Sequence, residues 1–256
     1  MPGVATMERV GTIILRIRVF NRRWDGMYER AAGMRIEITT DGPYIVSGGV
    51  PLYRGEIVTN DAGESVAWRE LERIPTDDVY TLCRCGQSTE KPFCDGAHII
   101  TGFDGTEVAS RSPFADEATC STGPAVKLLD ARQLCAEARY CDRAGGLWNL
   151  VDRSDEPDVL ALIKEMASLC PAGRYIACDP DTTAPLEPEY EPSIWLIEDP
   201  SLQVSGPIWV RGGIEIVSSD GTPYEARNRV TLCRCGHSCN KPLCDGSHIT
   251  EEFRAT

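Results

Sequence analysis

A sixteen-residue pattern occurs twice in the chain, as Cys83-Arg-Cys85-Gly-Gln-Ser-Thr-Glu-Lys-Pro-Phe-Cys94-Asp-Gly-Ala-His98 and as Cys233-Arg-Cys235-Gly-His-Ser-Cys-Asn-Lys-Pro-Leu-Cys244-Asp-Gly-Ser-His248. The copies share three thiols and an imidazole, a donor set that selects zinc or an iron–sulfur centre over magnesium or calcium. A single residue separates Cys83 from Cys85, closer than the spacing of the usual zinc knuckle, so a dinuclear centre suits the pair better. Asp95-Gly96 then turns the chain into a short helix, which brings His98 to the side of Cys94 one turn later. Cys83, Cys85, Cys94 and His98 are therefore expected to converge, and likewise Cys233, Cys235, Cys244 and His248. Ser88, Ser238, Pro92 and Pro242 are expected to shape the loops.

The two copies serve as controls for each other. His237 and Cys239 stand where the first copy has Gln87 and Thr89, so neither is an expected ligand. His237 is read as an exposed loop histidine and Cys239 as a passive thiol, open to oxidation if exposed.

Bulk properties narrow the class. At 256 residues the chain has room for two or three units. Its net charge of -13 opposes binding to phosphate backbones, so nucleic acid is not an expected partner. Thr12 to Ile17 and Val159 to Ile163 are the best apolar runs, too short or too interrupted to span a membrane, and the protein is expected to be soluble. No secretory signal is visible, so twelve cysteines point to reduced thiols in the cytoplasm and to metal binding. Residues 1–33 hold six arginines against Glu8, Asp25 and Glu29, a charge of +3 that leaves -16 for the rest, and read as a basic N-terminal extension.

Similarity between the halves extends beyond the cysteines. Val46-Ser47-Gly48 with Pro51-Leu52 is matched to Val204-Ser205-Gly206 with Pro207-Ile208, and Glu56-Ile57-Val58 to Glu215-Ile216-Val217. These stretches read as short strands separated by turns. Between the halves the character changes. Asp130 and Gln133 predict a capping box for a helix through Leu134 and Ala138. Pro157, with Val159, Leu162, Ile163, Met166 and Leu169 at helical spacing, predicts a second helix ending before Pro171. From Pro180 to Pro192 the alternation of Pro and Glu reads as an extended acidic linker. The expected units are 34–112, 113–181 and 182–256.

The pattern C-x-C-x2-S-x3-P-x-C-D-G-[AS]-H resembles that of the CDGSH iron–sulfur proteins, the mitoNEET group, in both copies. The resemblance implies one [2Fe-2S] cluster per motif. Cys83 and Cys85 would hold one iron, Cys94 and His98 the other; Cys233 and Cys235 would pair against Cys244 and His248. Ala97 replaces the family's usual serine in the first copy, a position that is not a ligand. Family members often dimerise with two clusters side by side, which implies here an intramolecular pseudo-dimer within a monomer. Neutral imidazole in place of a fourth thiolate makes the site less negative and raises its potential.

The central segment is similar, over residues 118–179, to the divergent single-cluster ferredoxin-like domain often fused to such motifs, through Cys135, Cys141 and Cys170-Pro171. Three thiols fall one short of a four-ligand cluster, so Cys178, Cys120 or a carboxylate would complete it, or a three-iron centre would need none. Residues six apart on a continuous helix do not align, so a cluster requires the chain to leave the helix between Cys135 and Cys141. Glu137 stands where the family often has histidine. The competing reading treats these cysteines as small buried apolar side chains.

The expectation is thus an α+β protein with two β-rich CDGSH units around a small helical ferredoxin-like domain. It would carry two [2Fe-2S] clusters, with a third iron–sulfur centre possible, for electron transfer, cluster transfer or redox sensing with a redox partner or apo-acceptor protein. No nucleotide fingerprint or catalytic triad is present, and enzymatic activity is not expected. The alternatives are a zinc-stabilised interaction module and a redox domain serving an oxidoreductase.

Overall fold

The computed structural model describes residues 28 and 30–255; the rest of the Arg-rich extension lies outside them. In chain order the first half contributes β1 (Arg35–Ile38), β2 (Tyr44–Ser47), β3 (Leu52–Thr59), β4 (Ser65–Ile74), β5 (Val79–Leu82) and α1 (Ala97–Thr101). The centre contributes α2 (Phe114–Glu117), β6 (Thr119–Thr122), β7 (Lys127–Asp130), α3 (Leu147–Leu150), α4 (Pro157–Leu169) and β8 (Tyr175–Cys178). The second half adds β9 (Ser193–Asp199), β10 (Val204–Arg211), β11 (Glu215–Val217), β12 (Arg229–Leu232) and α5 (Ser247–Thr250).

Three sheets result, in the orders β11-β1-β2-β5, β12-β10-β9-β3-β4 and β6-β7-β8. The first takes β11 from the second half, and the second takes the β3–β4 hairpin from the first half. β11 pairs in parallel with β1, Ile36 opposite Ile216, while β3 pairs in parallel with β9, Leu52 opposite Ile194. The remaining pairs are antiparallel, and β2–β5 is equivalent to β10–β12: Val46 faces Tyr80 in β5, and Val210 faces Val230 in β12. The halves are thus related by a pseudo-twofold with reciprocal strand exchange. Their apolar faces meet in one core containing Ile36, Tyr44, Val46 and Leu52 from the first half and Ile194, Ile208, Val210 and Ile216 from the second. Each such side chain gains roughly 1.5–3 kcal/mol on burial, and neither half can complete this core alone.

The register corrects the match between the halves. Val46 is equivalent to Val210, not Val204, and Leu52 to Ile216, which aligns Gly48-Gly49 with Gly212-Gly213. At these pairs the chain leaves one sheet for the other with φ of 89° and 65° in the first half and 72° and 73° in the second, a conformation that suits glycine.

In the centre, α4 runs from Pro157 to Leu169 with Ile163, Met166 and Ala167 buried, as its spacing predicts. The capping-box helix is absent. Arg132–Leu134 form only a 3-10 turn, because the Asp130 carboxylate is taken by Arg174 at 2.7 and 3.0 Å and Gln133 donates to Glu117. Beyond it Cys135 is extended, and Glu137 and Arg139 have positive φ. The sheet β6-β7-β8 gives this domain a β layer that the sequence reading lacked.

The acidic linker is held down rather than solvated. Glu187 is buried and forms an ion pair with the equally buried Arg229 of β12. Arg229 also donates to the carbonyls of Ala167 at 2.8 Å, Ser168 at 2.8 Å and Cys170 at 2.7 Å, capping the C-terminus of α4. Arg227 donates to the Ala172 and Gly173 carbonyls. The centre is therefore clamped to the second half. Among the described residues no helix is long and apolar enough to cross a membrane.

Candidate metal centres

Each sixteen-residue loop begins where its sheet strand ends and is folded by its own polar side chains. Ser88 Oγ donates to the Phe93 carbonyl at 2.7 Å and accepts from Glu90 N–H, and Ser238 does the same with Leu243 and Asn240, also at 2.7 Å to the carbonyl. Asp95 accepts from Thr89 N–H at 2.7 Å and Ala97 N–H at 3.0 Å, bonds that hold its carboxyl down to about 2. Asp245 accepts from Cys239 N–H and Ser247 N–H at the same distances, 2.7 and 3.0 Å. The Lys91–Pro92 and Lys241–Pro242 bonds are both cis.

These loops bring the donors together in pairs. Cys83 Sγ and Cys85 Sγ lie 3.8 Å apart, and Cys94 Sγ lies 3.4 Å from His98 Nδ1. In the second loop Cys233 and Cys235 are 3.6 Å apart, and Cys244 is 3.4 Å from His248 Nδ1. Two thiolates sharing a tetrahedral ion at ~2.3 Å from each sulfur stand about 3.8 Å apart, so each pair has the span of two ligands on one metal. Among the described residues, no group of three or more His, Cys, Asp or Glu donors converges on a single ion.

Burial opposes ionisation of Cys85, Cys94 and Cys244 in the absence of a cation. Burial pushes the Cys85 thiol up to about 11 and raises Cys94 and Cys244. Desolvated thiols of this kind ionise when a cation compensates the charge. Cys233 and Cys235 share a hydrogen bond that lowers Cys233 and raises its partner. Backbone N–H groups of Gln87 and Gly246 point at Cys85 and Cys244, both at 3.4 Å.

The two loops meet at the pseudo-twofold. A side chain at Gly86 would collide with the Cys235 carbonyl, and one at Gly236 with the Cys85 carbonyl. Their surroundings differ. Cys94 and His98 are half-exposed, whereas Cys244 and His248 are 2% and 5% exposed. Burial, with Arg234 nearby, pulls His248 down to about 4. Leu243 and Cys244 pack among Phe114, Leu134 and Ala136 of the centre, and Glu137 lies over Gly246.

Of the central cysteines, Cys141 interacts electrostatically with Cys170 and Cys135, and burial raises it to about 12. Cys135 Sγ is 3.3 Å from Glu137 Oε1 and close enough to Cys244 to influence it. Cys178 is buried in β8, with exposed Cys120 as its cysteine neighbour. His237 is exposed, 3.5 Å from Glu251, and Cys239 is exposed.

Three supporting residues escaped the sequence reading. Arg84 and Arg234, between the paired cysteines, are buried and turned onto backbone. Arg84 donates to the Thr39 carbonyl at 3.0 Å and to that of Gly105; Arg234 donates to Gly206 at 2.7 Å, Ile197 at 2.6 Å and the Glu198 carboxylate at 2.9 Å. Their presence in both copies was the available signal. Tyr44 reaches from the first half to the Cys233 carbonyl at 2.8 Å, a contact without a local signature.

Residues 41–99 and 205–249 match the family described as iron-binding zinc finger of CDGSH type, and residues 121–178 match the divergent 4Fe-4S mono-cluster family. Searches of curated proteins and of solved structures returned no significant match. The paired donor sets and these matches make the chain an iron–sulfur protein in which two CDGSH domains flank a divergent 4Fe-4S mono-cluster domain.

Proposed function

We propose that the protein holds one [2Fe-2S] cluster in each CDGSH loop and works in one-electron transfer or cluster delivery rather than as an enzyme. The observation that carries this reading is the separation of the donors into two pairs per loop, which suits two metals bridged by sulfide and leaves a single zinc ion without four convergent ligands. When bound, a core of oxidised charge +2 with three thiolates and a neutral imidazole totals -1 and takes up an electron more readily than a four-thiolate site at -2. Around it, Ser88, Asp95 and their counterparts fix the loop, and Arg84 and Arg234 anchor the backbone between the paired cysteines.

Cys135, Cys141 and Cys170 are proposed as the ligands of a third iron–sulfur centre. The departure from helix after Leu134 removes the geometric objection, and the match to a mono-cluster family favours it. Glu137, beside Cys135, is the nearby carboxylate that offers a fourth donor. We place the protein in the reducing cytoplasm, consistent with twelve free cysteines.

Iron and sulfide analysis with visible spectroscopy on anaerobically purified protein tests this. About four irons per chain fit the two CDGSH sites, and a further three or four would populate the centre. Colourless protein containing zinc would refute the proposal.

A further inference from the structure

The pseudo-twofold gives the two CDGSH loops equivalent faces, and among the described residues the central domain covers that of the second loop alone. On the second loop that face is occupied by the central domain's Cys135-Ala136-Glu137 segment. Asn240 Nδ2 donates to the Gln133 carbonyl at 2.9 Å, Leu243 and Cys244 pack against Leu134 and Ala136, and Gly246 lies beneath the Glu137 side chain. The equivalent residues of the first loop are Glu90, Phe93, Cys94 and Gly96. A side chain at Gly96 would meet nothing within 4 Å. Beside it α1 presents Ile99 and Ile100 at 78% and 89% exposure, whereas Ile249 is half-buried and Thr250 replaces the second isoleucine. Adjacent exposed isoleucines next to the partly exposed Cys94 and His98 form an apolar face without a partner among the described residues.

We infer that the face formed by Phe93, Gly96, Ile99 and Ile100 docks a separate ferredoxin-like iron–sulfur protein, which presents a cysteine-bearing loop to the first site as the central domain does to the second. The inference rests on the iron–sulfur reading of the loops. The occupant is argued from the molecule itself: a ferredoxin-like domain is already seated on the symmetry-equivalent surface. The chain's own central domain is clamped to the second half by Arg227 and Arg229 and is not free to serve both faces. Exchange through this face is a one-electron step. The partner's reduced centre loses one electron, the oxidised first site gains it, and no bond forms or breaks.

The test uses the full-length holoprotein and a single-cluster bacterial-type ferredoxin as probe. Calorimetry measures binding, and anaerobic stopped-flow absorbance measures reduction by the reduced ferredoxin. Ile99→Glu/Ile100→Glu should weaken binding and slow the second-order rate by about tenfold or more, as loss of central apolar anchors does. Leu71→Glu, on an exposed apolar residue of β4, should change both by less than about twofold. Equal effects of the two variants, or no effect of the double variant, would overturn the inference. A wild-type dimer in sedimentation that the double variant abolishes would also overturn it, making a second copy the occupant. Zinc-containing protein that still binds through this face would refute the iron–sulfur reading instead, so the two failures are distinguishable.

Discussion

The first and second CDGSH loops share nearly the same ligands, loop hydrogen bonds and donor spacings, yet one opens to solvent and the other lies under a domain. His98 and Cys94 are half-exposed; His248 and Cys244 are buried. The comparison teaches that the motif specifies how metals are held, while the chain inserted between the copies specifies which site meets the outside. Among the neighbours of the buried second site are the first loop, across the Gly86 and Gly236 contacts, and the Cys135 segment.

The largest effects should come from removing a ligand. Cys94→Ala and Cys244→Ala should each lose about half of the CDGSH iron and its visible absorption, measured by elemental analysis and spectroscopy. Thermal melts should separate them, since Cys244 lies in the core shared with the central domain and Cys94 does not. Equal melting shifts would break the comparison.

Next in size is the clamp. Arg229→Met leaves Glu187 buried without its partner and uncaps α4, costing about 3–5 kcal/mol in urea unfolding. It should also speed chelator-driven iron loss at the second site and leave the first unchanged. A smaller effect on stability is expected for Glu137→Ala, which uncovers Gly246 and also removes the carboxylate proposed as fourth donor to the central site. Stability should fall by no more than ~1 kcal/mol, and chelator access at the second site should rise by a few-fold. Unchanged access would mean that Glu137 does not shield the site.

What was legible is local: the nearness of Cys83 to Cys85 and of Cys94 to His98, the loop-shaping part of Ser88, and the Pro157–Leu169 helix all follow from spacing over a few residues. Strand exchange was not legible, because whether Leu52 pairs within its own half or with Ile194 depends on long-range register, and both strands are equally apolar. The capping-box helix failed because Arg174, distant in sequence, takes Asp130 more strongly than a helix N-terminus does. The burial of Glu187 within the extended acidic linker was not legible for the same reason: its partner, Arg229, comes from another element.

The most direct test follows visible absorbance of the holoprotein after a drop to mildly acidic pH. Acid loosens a cluster by competing for the histidine nitrogen. His248 is held down to about 4, below the roughly 6.5 of a free histidine, so its burial favours the neutral, metal-binding form. For the unliganded fold, the same shift means that stability falls as pH drops from about 6.5 towards 4, where only the unfolded chain takes up the proton. Two phases of similar amplitude are predicted: a fast one from the open first site, slowed by His98→Cys, and a slow one from the covered second site, slowed by His248→Cys. A single phase, or a fast phase that responds to His248→Cys alone, would contradict the account.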